Sequence, residues 1–104
     1  WQTWPKREGT ALFFDAAPWA GGHSHPDALN VNIAIGGPSV IREAGVRGYA
    51  HPHHGDYFRR TFAHNVLTID GREQHQPQTP KLITCKLNDS VCDYASAQID
   101  RPAA

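Results

Sequence analysis

A chain of 104 residues makes one domain with a modest core and is too short for two. At 39% hydrophobic, 19% charged and zero formal net charge it has the composition of an ordinary globular domain, without the charge block that would mark a nucleic-acid partner or a polybasic membrane surface. No apolar run is long enough for a transmembrane segment, and the start WQTWPKREG has neither a signal-peptide core nor an initiating Met; with no Met anywhere, this points to a processed product or a piece of something longer.

Strand signals dominate along the chain. "ALFFDAA" is a first β-rich run. "LNVNIAIGG" follows, with Leu29, Val31, Ile33 and Ile35 on one parity and Asn30 and Asn32 on the other, ending in a Gly-Gly-Pro turn. That alternation predicts a strand from Leu29 to Ile35 whose four apolar side chains face the core, so that Asp at position 31 should be costly and Asp at position 32 cheap. "SVIRE" and "NVLTIDG" are further strands, the second closing on the hairpin pair Asp70-Gly71. Between them "GVRGYAHPHHGD", residues 45–56, is a long polar loop of the kind that carries function or moves, and Phe58 to Phe62 fit a helical turn. "KLITCKL" and "VCDYASAQI" flank Asn88-Asp89-Ser90 as a hairpin. A two-residue turn there sets Cys85 opposite Cys92, within disulfide reach; a longer turn does not, and two reduced cysteines fit equally well. The fold class is all-β, one layer or part of a sandwich.

Seven histidines are many for this length, and they cluster. His23 and His25 lie two apart in "GGHSHPDALN", so in extended backbone both face one site. A zinc ion takes three or four N, O or S ligands, which requires one of the pair to be joined by distant residues. Glu43, in "VIREAG", and His64, opening "HNVLTID", are the candidates, each at the end of a predicted strand. The bland alternative for a bare His-x-His is a surface or hydrogen-bonded core pair. His51, His53 and His54 read as solvent-facing loop residues, Asp27 as an acceptor for its own loop, and Asn65 as either an orienting group for His64 or a turn former. Core packing is the default for Trp1, Trp4 and Trp19, of which Trp19 alone sits beside the His pair.

Three blocks in order, "FFDAAPWAGGHSHPDALNVNIAIGG", "VIREAG" and "DYFRRTFAHNVLTIDGREQ", resemble the C-terminal β-sheet domain of the heparinase II/III-like polysaccharide lyases, whose relatives include oligoalginate lyases. The resemblance makes residues 1–104 one fragment of such a domain and is clearest over 11–74. It implies an antiparallel β-sandwich packed against an N-terminal (α/α) toroid, with an acidic polysaccharide or oligosaccharide in the cleft between them. That toroid, absent from this chain, would supply further catalytic groups, so the fragment alone should be inactive. It also implies that His23 lines the cleft while His25 binds a structural zinc together with the residues at positions 43 and 64. Some members carry Asp where this chain has Glu43.

The implied reaction is β-elimination at a uronic acid. The C5 carboxylate must be neutralised, the C5 proton removed and the departing O4 oxygen protonated. His23 fits any of these roles, and a tyrosine serves as base if a neighbouring cation favours its phenolate. Tyr57, anchored in "DYFRRTFAHN", and Tyr49 are the local candidates; Arg59 and Arg60 could meet uronate carboxylates bidentately, and Trp19 could stack on a sugar. The resemblance favours a bacterial periplasmic or secreted setting. A metal-dependent cupin is the rival, since it too has a His-x-His before a strand, but positions 29 and 30, where its glutamate would fall, are Leu and Asn. A non-catalytic carbohydrate-binding β-domain is the third reading.

Overall fold

The computed structural model describes residues 9–88 and 90–100. Strands β1 (Thr10–Phe14), β2 (Val31–Ile35) and β3 (Ser39–Ile41) form an antiparallel sheet in the order β1-β2-β3. Leu12 lies opposite Ile33 and Phe14 opposite Val31, so the β-branched and aromatic side chains of the two strands meet as cross-strand pairs. The β2–β3 hairpin turns through Gly36 and Gly37, whose φ values of 62° and 99° suit glycine, and Pro38 accepts the Ile35 N–H at its carbonyl. Strands β4 (Lys81–Lys86) and β5 (Tyr94–Gln98) form a second antiparallel pair. The remaining regular structure is one π-helical turn, His54–Phe58, and one 3₁₀ turn, Thr61–Ala63. The fold is all-β and antiparallel with almost no helix, consistent with the β-sandwich portion that the sequence implies. No helix among the described residues is long and apolar enough to cross a membrane.

Several local expectations are corrected. Strand β2 begins at Val31, because Leu29 has a left-handed φ of 65° and its N–H turns back to the Asp15 carbonyl. The parity expectation fails with it. Apart from Pro26 and Pro80, no apolar side chain is buried among the described residues; Ile35 is 53% exposed, whereas the polar Asn30 is enclosed at 4%. "NVLTIDG" forms no strand; only Ile69 and Arg72 bridge, across a turn with positive φ at both Asp70 and Gly71. The β4–β5 connection is longer than a two-residue turn. Lys86 faces Tyr94 and Cys85 faces Ala95, so Cys92 lies outside the ladder and both cysteines are exposed and unbridged. The helical turn expected over 58–62 divides into the two short turns that flank Arg59 and Arg60. Trp1, Trp4 and Asp89 lie outside the described residues.

Candidate functional site

The loop carrying His23 and His25 is fixed by hydrogen bonds rather than by apolar packing. Gly21, at φ 90°, starts a turn closed by the Ser24 N–H on its carbonyl at 2.9 Å, while Ser24 Oγ accepts the Ala20 N–H at 2.8 Å. The Arg59 guanidinium donates to the Ser24 carbonyl at 3.2 Å. One residue pair on, Thr61 acts as a hub. Its hydroxyl, 1% exposed as a residue, donates to the Pro26 carbonyl and accepts the Gln74 N–H, both at 2.9 Å. The Gln74 amide then clamps Ala28 from both sides, accepting its N–H at 2.9 Å and donating to its carbonyl at 3.1 Å. Glu73 accepts the Thr61 N–H at 2.8 Å and pairs with Arg60 Nε at 3.0 Å. Burial raises the Glu73 carboxyl, but the hydrogen bonds from Thr61 and Arg60 outweigh it and hold the group below the ordinary carboxylate value.

This scaffold brings His25, Glu43 and His64 into one chain of contacts. His25 Nδ1 lies 3.3 Å from His64 Nε2, and His64 Nδ1 lies 2.7 Å from Glu43 Oε2. The His64 side chain is only 3% exposed. Glu43 is itself held: its Oε1 accepts from Asn30 Nδ2 at 2.8 Å and from the Asn65 N–H at 3.2 Å, and its own N–H donates to Asn32 Oδ1 at 3.0 Å. With Nδ1–H of His64 given to the carboxylate, the lone pair of Nε2 faces His25. That is the carboxylate–histidine arrangement which orients metal ligands. Asp27 completes the set, since atoms of His25, Asp27 and His64 all lie within 4.8 Å of one another.

The donor set suits zinc. Ligands about 2.0 Å from a tetrahedral ion stand roughly 3.3 Å apart, which is the spacing already present between the two imidazole nitrogens. Burial, then the neighbouring His64 and Arg59, lower the pKa of His25, which keeps its nitrogens available as ligands. Burial raises the Asp27 carboxyl, and the neighbouring His64 offsets only part of that rise. Glu43 and Asp27 differ in place: Glu43 lies on His64 Nδ1, whereas Nε2 is the nitrogen that faces His25, and Asp27 gathers with these two histidines. One ion can use only one of these nitrogens.

His23 points elsewhere. Its Nδ1 lies 2.5 Å from the Tyr49 hydroxyl, and the Tyr49 ring meets His54 edge-on with centroids 5.0 Å apart. Beside them a cleft of about 380 Å³ is lined by Asp15, Trp19, His23, His25, Asp27 and Gln78, among others, so Trp19 does sit with the His pair. Tyr57 does not join His23; it packs against Phe58 and Phe62, at 5.2 and 5.6 Å, and lines a different hollow. Arg59 and Arg60 are engaged with Ser24 and Glu73. Asn65 holds Glu43 through its backbone, while its side-chain Nδ2 is shielded without a partner, so it does not orient the imidazole by its amide.

Residue-by-residue reading missed Thr61, Gln74, Asn30 and Asn32, whose roles depend on partners far along the chain. Their signal was present only as polar side chains in strand-like or turn-like sequence. His54 was also misplaced: it is half-buried, with Nδ1 shielded and unpartnered.

The family model described as heparinase II/III-like, C-terminal, matches residues 1–101. No curated protein and no solved structure matches the chain.

Proposed function

The chain belongs to the heparinase II/III-like C-terminal family, and from that premise we propose that it forms one wall of the catalytic cleft of a lyase that cleaves uronic-acid glycans by β-elimination. The contact between His23 and Tyr49 beside a cleft that His25 and Asp27 of the histidine–carboxylate cluster also line carries the reading. An upstream toroid completes the cleft, and a periplasmic or secreted bacterial location suits a polymeric substrate.

Tyr49 and His23 form a proton-sharing pair in this mechanism. His23 Nδ1 takes the phenolic proton, and Tyr49 Oη removes the proton from C5. The C4–O bond breaks as the C4=C5 double bond forms, and the departing O4 oxygen takes a proton from the same pair. The imidazolium on His23 lies beside the uronate carboxylate, where its charge offsets the carbanion character that develops. Tyr49 takes the role expected for Tyr57 because it alone of the two touches His23.

His25 and His64 hold zinc together with a carboxylate, from Asp27 when His64 binds through Nε2 and from Glu43 when it binds through Nδ1. The gathering of His25, Asp27 and His64 within 4.8 Å supports these three as the ligands, with Glu43 orienting His64. Zinc, when bound, cross-links the 21–30 loop to residue 64, and its binding free energy is then folding free energy.

The test uses the full-length protein on a panel of uronate polysaccharides, following the unsaturated product by ultraviolet absorbance. Turnover by the parent, lost in His23→Ala and Tyr49→Phe, is expected; this chain alone should be inactive. Robust turnover by the isolated chain, or full activity in Tyr49→Phe, would sink the mechanism.

A further inference from the structure

The polar loop 45–56 sends Tyr49 to His23, sets His54 against the Tyr49 ring and lends Val46 to the cleft, yet most of its chemistry lies outside it. Arg47, His51, His53 and Asp56 line a second, open hollow of about 560 Å³ together with Tyr57 and Phe58. We infer that this hollow is a binding subsite for one carboxylate-bearing sugar unit, with Arg47 taking the carboxylate and the Tyr57 ring backing the sugar. The inference rests on the uronate-lyase reading and extends it to residues which that mechanism does not use.

Arg47 is the permanent cation of the lining and the group that a carboxylate would meet. Asp56 is the single acid in the lining, and it is already paired with His53, its Oδ2 lying 3.2 Å from Nδ1. Arg47 makes no hydrogen bond or ion pair among the described residues, so its guanidinium is free to form the two parallel bonds that a carboxylate accepts. His51 adds one donor, its Nε2–H, because its Nδ1 accepts the His53 N–H at 3.1 Å. It is held by ring contacts with His53 at 5.7 Å and with Phe58 at 5.3 Å, edge to face in the second case.

The aromatic residues supply the second half of the recognition. The Tyr57 ring is 44% exposed and braced by Phe58 and Phe62, which leaves a fixed apolar surface beside the cation. A flat ring next to a guanidinium matches a sugar acid, whose ring face is apolar and whose edge is charged. The volume lies within the range of small-ligand sites. The turn that carries Tyr57 also carries His54, whose ring touches Tyr49, so a sugar held here is a neighbour of the one at His23.

The experiment measures binding by calorimetry on the full-length protein, stalled by His23→Ala. Tetramers from alginate, pectate and heparan-type chains are compared, each with its carboxyl-reduced counterpart. Arg47→Gln should weaken the acidic tetramer about tenfold, leave the reduced one unchanged and flatten the salt dependence. Tyr57→Ala should weaken both forms, because the ring surface recognises the sugar and not its charge. Acidic tetramers bound as tightly by both variants as by the parent would overturn the subsite while leaving the lyase reading standing. A parent that binds no uronate tetramer would overturn the lyase reading and the subsite together.

Discussion

Around Pro26 and Thr61 the chain is closed by hydrogen bonds between enclosed polar groups, whereas on β1 and β4 large apolar side chains stand in the open: Leu12 is 58% exposed and Ile83 55%. The two regions are ordered by different forces. Strand faces without a covering layer gain little from burial, since the gain scales with apolar area removed from water. The site loop gains from directional pairs, each of which is either made or lost. Geometry at the site is therefore set by a few side chains reaching backbone groups 35 or 46 residues away, as Thr61 reaches Pro26 and Gln74 reaches Ala28.

The largest effects should come from the histidine cluster. His25→Ala or His64→Ala should lower zinc affinity by more than about a hundredfold and reduce the melting temperature with it, because ligand loss removes folding free energy. His23→Ala should keep metal and melting temperature and lose turnover. Metal analysis beside thermal melts decides this. A His23→Ala protein stripped of zinc would show that the two histidines of one motif are not divided between two tasks.

Thr61→Val contrasts the two regions directly. The variant keeps the shape but leaves the Pro26 carbonyl and the Gln74 N–H enclosed without partners, at about 1–3 kcal/mol each. Leu82→Ala on β4, where the side chain is exposed, should change stability by less than about 0.5 kcal/mol. Equal losses in denaturant melts would mean that the strand faces contribute as much as the polar hub.

Smaller and sharper is the comparison of the two carboxylates. Asp27→Asn should strip zinc if His64 binds through Nε2, the nitrogen that faces His25, and Glu43→Gln should then weaken affinity by about 10–100-fold by releasing the ring. Zinc kept by Asp27→Asn and lost from Glu43→Gln would move the third ligand to Glu43 and turn the His64 ring over.

The fold class and the meeting of His25, Glu43 and His64 were legible in the sequence; the strand ends and the network around them were not. Alternation in "LNVNIAIGG" located β2 but assigned its apolar parity to a core, because a period of two reports which residues share a face and not what covers that face. Asn32, on the supposedly idle parity, accepts the Glu43 N–H, so an Asp there would set a second carboxylate beside Glu43. Tyr57 was favoured over Tyr49 by its place in a motif, and only geometry shows that the flexible-looking loop delivers the tyrosine to His23. Cys85 and Cys92 show the same limit, since a register follows from turn length and the sequence fixes no turn length there.

The smallest expected effect concerns Glu73, which joins the hub to Arg60. Its folded pKa lies below the unfolded value of 4.5, so the unfolded chain binds more protons between the two values and stability rises with pH across that window. The contribution is therefore present in full above the unfolded value and is lost as pH falls through the folded one. Arg60 and Glu73 are 47% and 35% exposed at their side chains, so solvent screening keeps the contribution under about 1 kcal/mol. Glu73→Gln retains an oxygen for the Thr61 N–H and removes the charge. The stability gap between parent and variant, taken from denaturant melts at matched pH, should be positive at pH 7 and close as the pH drops below 4.5. Using the gap cancels every other carboxylate common to both proteins. A gap that stays constant through the acid range would mean that Glu73 supports Thr61 by hydrogen bonding alone, with its ionisation unlinked to folding.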